Sequence, residues 1–72
     1  MHLFRLNTTR ENSKSFYVIH EDTCPLFHQL KHYIDLGEFM FCSTAMQRAR
    51  ALGYTHVDGC SECCKPCHWR YN

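Results

Sequence analysis

Two short apolar runs separated by a polar stretch occupy the first twenty residues. From His2 to Leu6 the side chains alternate between apolar and polar, which predicts a strand. Residues 7–15 are polar and typical of a turn. The run from Phe16 to His20 is rich in aromatic and β-branched side chains, which favour strands. The pattern therefore predicts a hairpin made of these two strands.

The next segment has apolar side chains at helical spacing. They recur every three to four residues, at Leu26, Leu30, and Tyr33 or Ile34. This spacing predicts a helix that begins near Pro25, because proline suits the first helical turn, where a backbone N–H has no intrahelical partner. Gly37 is expected to end this helix, since glycine readily adopts the left-handed conformation that closes many helices.

A third strand and a second helix are predicted after Gly37. The run from Glu38 to Cys42 is mostly apolar and indicates the strand. Ser43 or Thr44 is expected to cap the helix, and Thr44 with Gln47 three residues later has the form of a capping box. The apolar stripe and the terminating glycine of this helix are Ala45, Ala49, Leu52 and Gly53.

These elements predict a small α+β domain with about three short antiparallel strands and two helices. The chain has 72 residues, so we expect one domain over residues 1–72, with a core over about 16–67 and a flexible tail over 68–72. A chain of this size buries only about 60% of the surface that it exposes when unfolded. Its apolar core barely offsets the entropy lost on folding, so we expect an additional covalent or metal staple.

The composition offers two such staples, because the chain contains six cysteines and six histidines. Arg5 interrupts the apolar start and no small-residue cleavage site follows, so we predict no signal peptide and a cytoplasmic location. Thiols stay reduced there, which favours a metal over disulfides. The net charge of +1 gives no strong attraction to nucleic acid or to anionic membranes. No apolar run approaches the roughly 20 residues that a membrane span requires.

Two chelating pairs far apart in the sequence predict one zinc ion per chain. Structural zinc sites use four sulfur or nitrogen ligands in a tetrahedron. Cys60 and Cys63 form the Cys-x2-Cys pair, and Gly59 before them supplies backbone freedom. His20 and Cys24 form the second pair, at the break between a predicted strand and a predicted helix. The predicted ligands are therefore His20, Cys24, Cys60 and Cys63.

The other cysteines leave three alternatives open. Cys64 and Cys67 repeat the pair spacing and could replace Cys60 and Cys63 as ligands. They could instead form a second metal site with His68 and also His56. The alternative that we favour is that Cys64 and Cys67 are free or redox-active thiols. Cys42 follows an apolar run and is expected in the core.

The order of these motifs resembles the Ada-type metal-binding domain over residues 16–67. The resemblance lies in a strand with His-x3-Cys-Pro, a helix, Phe41-Cys42-Ser43, an alanine-rich helix closing in Gly53-Tyr54, and Cys-x2-Cys. It implies one zinc ion, with the family's four ligand positions falling on His20, Cys24, Cys60 and Cys63. In the repair members of the family, the first ligand is a cysteine that accepts a methyl group from a DNA phosphotriester.

The chain departs from that family at the residue on which the repair reaction depends. Position 20 is histidine, and an imidazole cannot act as the acceptor thiolate. The basic run that follows the first ligand pair in the repair domain is also missing, and Lys31 is the one firm cation there. The resemblance therefore implies the zinc fold rather than methyl transfer.

Three functions remain as hypotheses. The first is a stand-alone structural-zinc module, a monomer that binds a macromolecular partner; the resemblance favours nucleic acid, whereas the near-neutral charge favours protein. The second is a methyl-acceptor or repair-like protein with a reactive zinc thiolate, for which Cys24 is the candidate nucleophile. The third is a thiol redox or metal-handling protein. The short chain leaves little room for a substrate cleft, which argues against an enzyme. Candidate partner contacts are Lys31, Lys65, Trp69 and Arg70.

Overall fold

The computed structural model describes residues 1–10 and 16–68, and these residues form one four-stranded mixed sheet covered by an α-helix. The strands are β1 (His2–Asn7), β2 (Tyr17–Glu21), β3 (Tyr33–Phe39) and β4 (Val57–Gly59), and their order in the sheet is β3-β1-β2-β4. The helix α1 spans Cys42–Ala51. Two 3-10 turns complete the described part, the first at Pro25–Gln29 and the second at Lys65–Cys67.

The predicted N-terminal hairpin is confirmed. Strands β1 and β2 pair antiparallel, with Phe4 opposite Glu21 and Leu6 opposite Ile19. Phe4 and Leu6 are buried two residues apart, as the alternation of a strand requires. Strand β2 lies between β1 and β4, and three of its consecutive residues are buried. This burial on both faces explains its continuous run of large side chains.

The predicted first helix is wrong. Only the 3-10 turn at Pro25–Gln29 is helical, and Leu30 is already extended, with φ −67° and ψ 131°. Residues Tyr33–Phe39 form the edge strand β3, which pairs antiparallel with β1. Gly37 has φ +116° and lies beside a shift in register between Phe4 and Arg5. Gly37 therefore lies at a β-bulge, where a positive φ is favoured, and does not end a helix.

The predicted second helix is confirmed, although its first residue differs from the expectation. Helix α1 begins at Cys42, and Phe41 precedes it without a side-chain capping bond, so the expected capping box is not formed. Gly53 has φ +104°, and its N–H donates to the carbonyl of Arg50 at 2.9 Å. It ends the helix as predicted. Ala45 and Ala49 are buried against the sheet, whereas Leu52 is exposed.

The fold class predicted from the sequence needs two corrections. The sheet is mixed, because β4 adds a fourth strand that pairs parallel with β2. The described residues contain one α-helix rather than two. Helix α1 contacts all four strands, and the core lies between them. In the described part of the chain, no helix is long and apolar enough to cross a membrane.

Candidate metal centre

The parallel pairing of β2 and β4 brings His20 and Cys60 together. Ile19 is the partner of Gly59 in the register, and each of these residues is followed directly by a candidate ligand. The N–H of Cys60 donates to the carbonyl of Ile19 at 3.0 Å, which extends the pairing by one residue. Because parallel strands run in the same direction, the ends of both strands meet at one edge of the sheet.

Two tight turns add the other two candidate ligands. The N–H of Cys24 donates to the carbonyl of Glu21 at 2.9 Å, so the chain reverses directly after His20. The N–H of Cys64 donates to the carbonyl of Cys60 at 2.9 Å and closes the turn that carries Cys63. The N–H of Glu21 also donates to the Cys63 sulfur at 3.3 Å, which ties the two turns together.

The four predicted ligands form one cluster. Their donor atoms, three sulfurs and one imidazole nitrogen, all lie within 4.8 Å of one another. His20, Cys24 and Cys60 are buried, and Cys63 is half-buried. This group can hold a metal ion, and it consists of the four residues predicted from the sequence.

The environment of the cluster disfavours ionised thiols in the absence of a cation. Burial raises the pKa of the Cys24 thiol, and the hydrogen bond with Cys63 adds to this effect. Burial also raises the pKa of Cys60. The hydrogen bond with Cys64 and burial together raise the pKa of Cys63 to about 12. A bound cation would supply the positive charge that stabilises these thiolates.

Cys64 lies next to the cluster but outside it. Its side chain is buried, and its sulfur is 3.9 Å from the sulfur of Cys63. In the described residues, neither Cys64 nor the other alternative ligands belong to a group that can hold a metal ion. His68 instead donates from Nδ1 to the carbonyl of Gly59 at 3.0 Å and lies 3.2 Å from the Asp58 carboxylate. His56 is exposed and contacts the ring of Phe16.

Cys67 is joined to Cys42 by a disulfide bond. The expectation of a free thiol is therefore wrong for Cys67 and holds for Cys64, and the expectation that the thiols stay reduced is wrong for Cys42 and Cys67. Cys42, expected in the core, is half-buried at the start of α1 and packs against the core cluster. The spacing of 25 residues between the bonded cysteines carries no sequence signal, and the fold alone brings them together.

A second group of possible ligands lies at the surface and was not predicted. Atoms of His2, Glu21 and Asp22 lie within 4.8 Å of one another. Nδ1 of His2 is 3.1 Å from an oxygen of Asp22, and the N–H of Leu3 donates to the other oxygen at 3.2 Å. The Leu3 bond and then the His2 bond lower the pKa of the Asp22 carboxyl. These contacts account for the arrangement as a hydrogen-bonded network between β1 and the end of β2.

An open cavity of about 370 Å³ adjoins the cluster. Cys63 is the cluster member in its lining, together with Cys42 and Cys67 of the disulfide. Met40 and Phe41 border it and are 68% and 65% exposed. The candidate nucleophile Cys24 is buried, so Cys63 is the ligand sulfur that a reagent in this cavity would reach.

The residues predicted to contact a partner are only partly described. Lys31 and Lys65 are exposed, the first between the first 3-10 turn and β3, the second at the start of the second 3-10 turn. Trp69 and Arg70 lie outside the described residues, as do residues 71–72 of the predicted tail. His68, the first residue of that tail, contacts Gly59 and Asp58 as described above.

Comparison with known proteins leaves the metal cluster as the main guide to function. No protein-family model matches the chain, and no curated protein or solved structure matches it either. Function is therefore inferred from the geometry and the chemistry of the four side chains.

Proposed function

We propose that the chain is a small structural-zinc module in which His20, Cys24, Cys60 and Cys63 bind one zinc ion. The observation that carries this proposal is the convergence of three sulfurs and one imidazole nitrogen within 4.8 Å. Three thiolates with one imidazole are an established structural zinc set, in which protein ligands fill all four positions. The four ligand positions are the only feature that is taken over from the resemblance to Ada-type domains.

The spacing of the donors supports a tetrahedral site. Zinc binds sulfur at about 2.3 Å and imidazole nitrogen at about 2.0–2.1 Å, so neighbouring donors in a tetrahedron lie roughly 3.5–3.8 Å apart. Donors within 4.8 Å of one another need to move by only about 1 Å to reach that spacing. The turns at Cys24 and Cys63 can provide this adjustment without any change in the sheet.

Native mass spectrometry of the purified protein, with no metal added, tests the proposal. We expect one zinc ion per chain, and X-ray absorption at the zinc edge should show three sulfur ligands and one nitrogen ligand. The matched control is Cys64→Ser, which changes the buried cysteine next to the cluster and should retain the zinc. A protein without metal, or a Cys64→Ser variant that loses zinc while Cys63→Ser keeps it, would contradict this ligand set.

The surface favours a protein partner for this module. The net charge is +1, whereas proteins that bind nucleic acid neutralise many phosphates with lysine and arginine. Met40 and Phe41 expose apolar side chains beside the cavity. We expect labelled single-stranded and duplex oligonucleotides to bind no tighter than roughly 10⁻⁴–10⁻⁶ M, the range of non-specific contact at physiological salt. Tighter binding that weakens steeply with added salt would favour a nucleic acid partner instead.

A reactive thiolate is the second candidate function, and the half-buried position of Cys63 favours it. Cys63 lines the open cavity, whereas Cys24 and Cys60 are buried. Titration of the zinc-loaded protein with a small alkylating reagent separates the two functions. A closed structural site predicts that all three ligand sulfurs react slowly. Fast alkylation of Cys63 with release of zinc would support a reactive-thiolate protein.

A further inference from the structure

The Cys42–Cys67 disulfide encloses the half of the candidate zinc site that comes from the C-terminal part of the chain. The bonded cysteines are 25 residues apart. The loop between them contains α1, β4 and the two ligands Cys60 and Cys63. The other two ligands, His20 and Cys24, lie outside the loop. Breaking the disulfide would therefore free one ligand pair more than the other.

The disulfide also packs directly against the backbone that presents Cys60. A Cβ atom placed on Gly59 would lie 2.8 Å from the Cβ of Cys67, so the two residues are in close contact. The N–H of Cys67 donates to the carbonyl of Cys64 at 2.9 Å, and the N–H of Cys64 donates to the carbonyl of Cys60. Two successive turns thus connect the disulfide to the ligands.

We propose that the Cys42–Cys67 disulfide is a redox-controlled clamp on the metal centre, and that reducing it weakens zinc binding. This inference rests on the proposed structural-zinc function and adds a form of regulation to it. With the bond intact, the second 3-10 turn is tied to the start of α1 and holds Cys60 and Cys63 near their binding positions. With the bond reduced, the same turn keeps its backbone hydrogen bonds, the His68 contacts and its packing against Gly59, but it loses the covalent tie to α1.

A dithiol is the reductant that this step requires. One thiolate of the dithiol attacks a sulfur of the Cys42–Cys67 bond, and its second thiolate resolves the mixed disulfide. The dithiol gives up two electrons and two protons and becomes a disulfide, while Cys42 and Cys67 become thiols. Both cysteines line the open cavity, so the reductant has a route to the bond.

The size of the effect follows from the loop that the disulfide closes. A disulfide stabilises a protein mainly by restricting the unfolded chain, and for a loop of this length the chain-entropy limit corresponds to roughly 300-fold in a folding equilibrium. Zinc binding and folding of such domains are coupled, so part of this stabilisation is expected to appear as tighter zinc binding. We expect reduction to weaken zinc binding roughly 10- to 100-fold, because real disulfides deliver less than the limit.

Zinc affinity measured by competition with a chromogenic chelator tests the clamp. One sample is the oxidised 72-residue chain, and the other is treated with a phosphine, which breaks the disulfide without adding thiols that bind zinc. The number of free thiols, counted after unfolding and zinc removal, should rise from four to six. The matched control is the double variant Cys42→Ser with Cys67→Ser, which should bind zinc like the reduced protein and be unaffected by phosphine.

The outcomes separate the clamp from the proposed function. An affinity 10- to 100-fold lower in the reduced protein supports the clamp. Equal affinities, tighter binding after reduction, or six free thiols in the oxidised protein would overturn the clamp and leave the zinc site intact. No zinc binding in either sample would overturn the proposed function itself. If the double variant does not fold, the comparison of oxidised and reduced protein still decides between these outcomes.

A reciprocal measurement tests the same coupling without any variant. If the disulfide strengthens zinc binding, zinc must disfavour reduction of the disulfide by the same factor. The equilibrium between protein and a dithiol buffer, read out by mass after thiol trapping, should shift roughly 10- to 100-fold toward the oxidised form when zinc is present at saturation, with the concentration of zinc-free dithiol kept the same in both samples. An equilibrium that does not change with zinc would contradict the clamp.

Discussion

Strand β1 pairs with β3 over all six of its residues and with β2 over three, whereas β4 contributes only three residues at the opposite edge of the sheet. The antiparallel part of the sheet (β3, β1 and β2) is held by the six-residue pairing of β1 with β3 and by buried side chains such as Phe4 and Leu6. The C-terminal segment (residues 57–68) has a short parallel pairing, a disulfide and two of the four candidate ligands.

This difference indicates a division of labour between the two regions. The stabilisation gained from hydrophobic burial is proportional to the apolar area removed from water. The antiparallel part contributes most of the large apolar side chains of the core. The C-terminal segment buries small or polar side chains, among them Cys60, Cys64 and Asp58. We therefore propose that its position depends on cross-links, namely the disulfide and a metal ion held by the cluster.

The largest effect is expected from Cys60→Ser, which removes a ligand from the C-terminal segment. Structural zinc contributes about 10–16 kcal/mol in zinc-finger peptides, more than a domain of this size can replace. We expect loss of zinc in native mass spectrometry and loss of the cooperative thermal transition in circular dichroism. The neighbouring exposed variant Ser61→Ala is the control and should keep both. A Cys60→Ser protein that stays folded without metal would show that the C-terminal segment does not depend on a metal ion.

A smaller loss is expected from Leu6→Ala in the antiparallel part. Leu6 is 0% exposed, and truncating a buried leucine to alanine costs about 2–5 kcal/mol through lost transfer energy and the cavity left behind. Denaturant unfolding of the zinc-saturated protein measures the cost, while the stoichiometry of one zinc per chain should not change. Leu3→Ala is the control, because Leu3 is 41% exposed. If the two variants lose stability equally, burial does not hold this region.

The two regions also differ in how much of them the sequence predicts. The hairpin of β1 and β2 is predicted because its signals are local, with apolar alternation before a polar turn and an aromatic and β-branched run after it. The ligand pairs are predicted for the same reason, since each pair lies within five residues. Strand β4 has only Val57, Asp58 and Gly59, with no alternation, and its parallel partner lies forty residues earlier in the chain. Nothing local indicates such a pairing.

The wrong first helix shows how tertiary contacts override a weak periodicity. Leu26, Leu30 and Ile34 recur at the spacing of a helix, yet the residues after Leu30 pair with β1. Tyr33 and Ile34 are aromatic and β-branched, so they favour a strand once a partner strand is available. The positive φ of Gly37 serves a bulge in that strand, a role that the sequence does not distinguish from a helix end.

An intermediate effect is expected from Gly59→Ala in the C-terminal segment. The added Cβ would lie 2.8 Å from the Cβ of Cys67 and 2.9 Å from the carbonyl oxygen of Cys64, so the second 3-10 turn must move. Overpacking of this kind costs about 1–3 kcal/mol. The free energy of unfolding of the zinc-saturated protein is the measurement, and Ser61→Ala again serves as the control.

The cost of Gly59→Ala in free energy of unfolding is expected to depend on the disulfide. In a protein that also carries Cys42→Ser and Cys67→Ser, the second 3-10 turn can move away, so the cost of Gly59→Ala should fall. Neighbouring sites that share a backbone shift show such non-additive costs. An equal cost in both backgrounds would mean that the disulfide does not hold this turn against Gly59.

The smallest effect is expected from Arg5→Lys in the antiparallel part. The Arg5 guanidinium lies 4.1 Å from the ring centroids of both Phe27 and Tyr33, and its Nε donates to Asp35 at 3.0 Å. A lysine keeps the charge but loses the planar stacking between two rings, at a cost of about 0.5–1.5 kcal/mol.

The control variant for Arg5→Lys is Asp35→Asn, which separates ring stacking from the ion pair. The Asp35 side chain is 67% exposed, so its ion pair with Arg5 is well solvated and contributes little. Denaturant unfolding should therefore show a larger loss for Arg5→Lys than for Asp35→Asn, with zinc content unchanged in both. If Asp35→Asn lowers the free energy of unfolding as much as Arg5→Lys does, the exposed ion pair is what holds Arg5 against the first 3-10 turn. An electrostatic interaction, and not packing alone, would then stabilise this part of the antiparallel region.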